Sequence, residues 1–192
     1  MKKLLITGFE PFGGADVNPS WLAVQALPDR VGKYELCKLN IPTVFGTAAE
    51  MVLQKAAEFA PDVILSVGVA AGRDAVTPER IAVNIRDARI PDNAGNQPRG
   101  AFVVPDGPAA YFATVPVEAM AQAIRDAHIP ATVSNSAGAY VCNDVMYTVL
   151  HRYAGTHVRA GFIHVPQLPQ QGQPAMALET IVAALQAAIA QL

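Results

Sequence analysis

Pro61-Asp62-Val63-Ile64-Leu65-Ser66-Val67-Gly68 decides the fold. Pro61 and Asp62 break a helical pattern, and the run that follows is apolar apart from Ser66 and ends at a glycine. Such a run predicts a strand buried on both faces, as in a parallel sheet covered by helices. Upstream, Lys3-Leu4-Leu5-Ile6-Thr7 closed by Gly8 predicts a second buried strand, and Tyr34 to Ile41 alternates until Pro42. Downstream, Ile81 to Ile85, Ala131 to Ser134 and Ala160 to Val165 complete the strand candidates. Helical spacing falls between them. Asn18 to Leu27 reads as a helix, and so does Phe45 to Phe59, with Ala49, Val52, Leu53, Ala56 and Phe59 on one stripe. Thr114 is placed to cap a third, with Pro116 in its first turn and Val117, Met120, Ala121 and Ile124 inward. Tyr140 to Tyr153 and Pro174 to Leu192 supply the last two, whereas 86–100 is rich in turn formers and reads as a long loop. Strands and helices alternate throughout, with no linker or repeat, so one α/β domain over 1–192 around a mainly parallel sheet is expected.

The balance of charge narrows the partners. Lys and Arg number 14 against 16 Asp and Glu, giving a net charge of −2 and no basic excess for nucleic acid. At 52% hydrophobic and 16% charged residues, disorder is excluded. No apolar run approaches the ~20 residues of a membrane-spanning helix, so no membrane partner is expected. Met1-Lys2-Lys3 leads only into Leu4-Leu5-Ile6 before Gly8, Glu10 and Pro11, unlike a secretory signal, and a cytoplasmic location follows as the expectation. Cys37 and Cys142 form neither a disulfide framework nor a CxxC motif, and both thiols stay reduced in that compartment.

In open α/β sheets, sites assemble beyond the strand ends. Gly8-Phe9-Glu10-Pro11-Phe12-Gly13-Gly14 follows a strand but lacks the spacing of a phosphate loop; it is a tight turn, or its two phenylalanines line a small apolar pocket. Cys142 falls in the first turn of a helix, where N–H groups and the helix dipole favour a thiolate and can hold an oxyanion. A buried small apolar residue is the other account of it. Cys37, mid-strand, reads as sheet filler. Of the four histidines, only His164 interrupts a buried run, at the end of Gly161-Phe162-Ile163-His164-Val165-Pro166, and a base is the favoured role there. Glu79 precedes a strand; by spacing alone it is a surface carboxylate paired with adjacent Arg80. No His, Cys, Asp and Glu set has metal-ligand spacing.

Four blocks, taken together and in order, resemble the pyroglutamyl peptidase type I family. They are Gly8 to Gly14 with Asn18-Pro19-Ser20, Pro78 to Asn93, Ser134 to Asn143, and Gly161 to Pro166. The resemblance implies a three-layer α/β/α sandwich with a mixed sheet. It also implies a cysteine peptidase that removes N-terminal pyroglutamate from peptides through a thioester, often as a homotetramer, with no metal or organic cofactor. By motif, Cys142 is the nucleophile, His164 the base and then acid, and Glu79 the residue that orients His164. Arg89 stands near the oxyanion. Phe9 and Phe12 are the aromatic pair around the pyrrolidone ring, and Asn18 is a polar contact. The family pattern carries a pocket glutamine where this chain has Val69, whose side chain cannot hydrogen-bond a lactam. Two other readings stay open on the residues themselves: a thiol amidohydrolase acting on another small amide, and a non-catalytic binder of small ligands or peptides.

Overall fold

The computed structural model describes residues 1–192. In chain order the elements are β1 (Lys2–Phe9), α1 (Pro19–Ala26), β2 (Arg30–Val31), β3 (Tyr34–Ile41), α2 (Thr47–Phe59), β4 (Val63–Val69), β5 (Thr77–Pro78), β6 (Ile81–Val83), β7 (Ala110–Phe112), α3 (Val117–Asp126), α4 (Val141–Arg152), β8 (Arg159–Val165) and α5 (Leu178–Ile189). Six strands form one sheet in the order β2-β3-β1-β4-β8-β5, while β6 and β7 pair separately as a ribbon. The four long strands β3, β1, β4 and β8 are parallel; the two-residue strands β2 and β5 join antiparallel at the edges. The sheet is therefore mixed, with the predicted parallel centre.

Alternation along the strands divides the core in two. Leu4 and Ile6 of β1, Val63, Leu65 and Val67 of β4, and Ile163 and Val165 of β8 pack with residues of α1, α3 and α5. Leu5, Ile64, Ala160 and Phe162 point the other way, to α2 and α4. With both faces covered, the layers are α/β/α, as strands apolar on every side require.

Several local expectations are corrected. Thr114 does not cap α3, whose N-cap is Pro116; its hydroxyl instead accepts from Ala160 N at 2.7 Å, at the start of β8. Residues 131–134 form no strand, only the isolated bridges Val76↔Ala131 and Glu79↔Ser134. The last helix starts at Leu178 rather than Pro174, because the preceding chain is turned back on itself: Met176 N donates to Gln167 O, and a 3-10 turn spans Pro169–Gln171. No helix is long and apolar enough to cross a membrane.

Candidate active site

The site grows from two neighbouring strand ends. β4 and β8 run parallel in a register that sets Gly68 beside His164. Even-numbered residues of β8 face α4, so His164 follows Phe162 towards that layer, with ring centroids 4.8 Å apart. Helix α4 presents Cys142 in its first turn, onto the strand position that carries no side chain. A Cβ added to Gly68 would lie 2.9 Å from Cys142 Sγ and 2.9 Å from the Phe162 ring, so only glycine lets the helix come this close.

The start of α4 is pinned by the two residues after the cysteine. Asn143, fully buried, accepts from Val83 N at 2.9 Å and donates to Val83 O and Ile85 O at 2.8 and 3.1 Å. Asp144, also fully buried, binds Arg86 Nε at 2.6 Å and Gly46 N at 2.8 Å. An unpaired charge or amide buried there would be costly, so the satisfied network holds the helix start in one place.

His164 Nδ1 lies 2.7 Å from Glu79 Oε1, both groups being buried. Glu79 reaches that position because β5 pairs with β8 and its own N–H donates to Phe162 O. The same Oε1 accepts from Arg73 Nη1 at 2.6 Å, and Arg73 also donates to Thr77 Oγ1 at 2.5 Å and Ser136 O at 3.1 Å. Adjacent Arg80 pairs instead with Glu118, so the expected Glu79–Arg80 surface pair is replaced by a buried one. Neighbouring residues on an extended segment face opposite ways, which rules out the simplest partner. Oε2 is buried with no hydrogen-bond partner, the nearby Ser134 hydroxyl being turned to Ser136 O.

Burial decides the charge states. It would raise the Glu79 carboxyl, but hydrogen bonding and charge from His164, with the Arg73 hydrogen bond, hold it below its ordinary 4.5. Burial lowers His164 below 6.5 and outweighs the stabilising Glu79. Cys142 keeps some surface open to solvent, yet its thiol is packed against the sheet. Burial and then Glu79 push the thiol up to about 12, against Arg73 and the cysteine's own backbone N–H. The helix start therefore does not by itself produce a thiolate, contrary to expectation. At rest the site holds a thiol, a neutral imidazole and a carboxylate.

Around this centre the other named residues separate. Phe12, half-buried, stands 6.0 Å from the Tyr140 ring and forms a wall shared by two cavities. One, of about 380 Å³, is lined by Phe12, Asp87, Arg89, Ile90 and the segment Gly138 to Tyr140. The other, of about 180 Å³, includes Phe12, Asn18, Val69, Gln167 and Gln171. Arg89 is exposed, with its backbone carbonyl held by Gln97. Phe9 is buried against Phe162 at 6.2 Å, behind the site rather than beside Phe12. Asn18 is the N-cap of α1: Oδ1 accepts from Ser20 N at 3.0 Å and Ser20 Oγ at 2.8 Å, and Nδ2 donates to Glu10 O. The loop 86–100 is tied down, by Asp92 to Phe45 N and by Asn93 to Pro11 O. No His, Cys, Asp and Glu side chains group in a way that could hold a metal ion.

Arg73, Asn143 and Tyr140 were not singled out by sequence. Arg73 alone carried a signal, a basic residue just past the glycine-rich end of β4 and six positions before Glu79.

Fold and site define a class: α/β/α proteins with a helix-borne thiol packed over a strand-end glycine, beside the strand that carries a buried imidazole–carboxylate pair. The pyroglutamyl peptidase family profile matches residues 2–192, and the chain belongs to that family. It is accordingly an enzyme, a hydrolase of the peptidase kind. It is 54% identical to the pyrrolidone-carboxylate peptidase of Levilactobacillus brevis, over 97% of this chain and 95% of that protein. It is 48% identical to the one of Thermococcus onnurineus, over 97% and 96%. Among solved structures, pyroglutamyl peptidase I of Bacillus amyloliquefaciens superposes with a TM-score of 0.96 at 41% identity, covering 100% of this chain and 96% of that one. Pyrrolidone carboxyl peptidase of Thermococcus litoralis gives 0.94 at 40%, covering 98% and 92%.

Proposed function

We propose that the whole chain, 1–192, is one catalytic unit that removes N-terminal pyroglutamate from peptides through Cys142, His164 and Glu79. The observation that carries this reading is the 2.7 Å His164–Glu79 contact beside the glycine that admits the Cys142 thiol. Membership of the pyroglutamyl peptidase family supports the substrate.

With substrate bound, Cys142 Sγ attacks the carbonyl that joins pyroglutamate to the next residue. Its proton passes to His164 Nε2 as the C–S bond forms, so no free thiolate is needed in a site that disfavours one. Glu79 holds the imidazole in the Nδ1–H tautomer and stabilises the imidazolium; Arg73 keeps Glu79 ionised and fixed. The oxyanion is held by N–H groups of the first turn of α4, with Arg89 close to the same mouth. Collapse breaks the C–N bond, and the leaving amine takes the proton from His164. Water then attacks the thioester carbonyl as His164 takes its proton; the C–S bond breaks, His164 returns the proton to Cys142 Sγ, and pyroglutamate leaves. Phe12 supplies an apolar face for the ring, and Phe9 acts from behind through Phe162.

Two free cysteines fit a reducing, cytoplasmic setting. The exposed side chains Phe102, Phe112 and Ile90 suit contact between copies, in keeping with a homotetramer. Release of aminomethylcoumarin from its pyroglutamyl and prolyl derivatives tests the function. The reading expects release from the pyroglutamyl compound alone and none from the Cys142→Ala protein. Equal release from both, or none from the pyroglutamyl compound, contradicts it.

A further inference from the structure

The smaller cavity, of about 180 Å³, contains three carboxamides, and they differ in what they are free to do. Gln171 is committed at both ends: Oε1 accepts from Leu168 N at 3.0 Å and Nε2 donates to Val17 O at 3.1 Å. Asn18 is committed as the cap of α1, with its oxygen and its nitrogen both engaged. Gln167 hydrogen-bonds only through its backbone, which receives Met176 N; its half-buried side chain keeps both polar atoms available. The chain makes room for that side chain. A Cβ at Gly172 would lie 2.9 Å from Gln167 Nε2, and Gly172 has φ +130, a conformation other residues rarely adopt.

Gln167 and Val69 share this cavity for a reason of topology. Val69 ends β4 and is in register with Val165, and Gln167 follows Val165 by two residues, past the end of β8. The two side chains thus leave adjacent strand ends, one residue past Gly68 and three past His164, into a cavity that Phe12 also walls. The Val69 side chain offers the cavity no polar atom.

We propose that Gln167 is a specificity-determining residue whose carboxamide pairs with the lactam edge of the substrate ring. This rests on the pyroglutamyl peptidase reading and deepens it. A lactam is a cis amide, so its N–H and C=O lie side by side on one edge. A primary carboxamide presents an acceptor and a donor in the same arrangement, and the two close a ring of two hydrogen bonds. Proline has no ring carbonyl, so it leaves the Gln167 amide without a partner, which is costly where water is excluded.

The test combines kinetics on pyroglutamyl-aminomethylcoumarin with calorimetric binding of free pyrrolidone, which needs no turnover. In Gln167→Met, KM and the pyrrolidone dissociation constant rise about 10- to 100-fold while kcat changes less than about threefold. Melting temperature stays constant, since the native carboxamide has no internal partner to lose. Adding Val69→Gln to Gln167→Met recovers affinity from the neighbouring strand end. Unchanged KM and pyrrolidone binding in an active Gln167→Met enzyme overturns the inference and leaves the peptidase reading standing. An inactive wild-type protein whose pyrrolidone binding still depends on Gln167 overturns the peptidase reading instead.

Discussion

Cys37 and Cys142 are both free and both half-buried, yet their surroundings share little. Cys37 sits within β3, in register with Leu5, and packs at the margin of the α2–α4 core. Cys142 sits in the first turn of α4, over Gly68, on the strand beside His164 and Glu79. Burial of a thiol alone raises its pKa and makes it inert. What distinguishes Cys142 is a buried imidazole on the adjacent strand, with a carboxylate hydrogen-bonded to it. The proposed chemistry rests on a constellation built by strand register and one missing Cβ, not on a residue type.

The largest expected effect comes from removing one thiol and then the other. Cys142→Ala abolishes peptidase activity, and Cys37→Ala leaves kcat/KM within about twofold at a stability cost of ~1 kcal/mol. Fluorogenic assay and thermal melts read both; loss of activity in a folded Cys37→Ala protein breaks the comparison.

Glu79→Gln comes next. It keeps the shape but removes the charge that stabilises imidazolium, and kcat should fall by roughly 100- to 10,000-fold, less than on loss of Cys142. An unchanged kcat removes Glu79 from the mechanism.

Arg73→Gln is expected to cost about tenfold in kcat/KM, but its sharper signature is in pH. Arg73 lowers His164, so its removal raises the imidazole pKa. The acid limb of kcat/KM, which lies below pH 6.5 in the native enzyme, then moves to higher pH. Arg73 as a merely structural residue would lower activity without moving the limb. Cys142 adds no limb near neutrality in either protein, because its pKa is about 12.

The smallest effect is on stability against pH. Both Glu79 and His164 have folded pKa values below their ordinary ones, so the unfolded chain binds more protons through that range. Stability from Glu79 is present above pH 4.5 and lost as pH falls through its lowered value; that linked to neutral His164 is lost below pH 6.5. Melting temperature therefore falls on acidification from neutral pH. Glu79→Gln should flatten the lower part of that fall, and an identical pH curve would show that the pair does not couple to folding.

Much of the architecture was legible in the chain. Tyr34–Ile41 has the bounds its alternation predicts, and the run after Pro61-Asp62 is the central strand β4. Strands β2, β5 and β7, of two or three residues, are too short for a periodic signal, and only pairing partners far along the chain define them. The last helix begins late because the chain before it is turned back by the Met176–Gln167 backbone pair, a loop feature that apolar spacing does not register. Within the site, Cys142 and His164 were legible as residues, Glu79 only through the family resemblance, and their neighbourhood was not legible at all. Register between β4 and β8 brings Gly68 to His164, and the choice of Arg73 over adjacent Arg80 depends on the direction each side chain leaves the backbone. Phe9 and Phe12 looked like a pair by sequence; one belongs to the core and the other to the mouth.

The central claim is that Cys142, and not Cys37, carries the acyl group. Rapid quenching of the enzyme in acid during turnover of a pyroglutamyl substrate, followed by peptide mass spectrometry, reads it directly. The account predicts a pyroglutamyl thioester on the Cys142 peptide that hydroxylamine removes and that is absent from Glu79→Gln or Cys142→Ala protein quenched at the same early time. An acyl group on Cys37, or turnover with no acylated cysteine at any quench time, would contradict it.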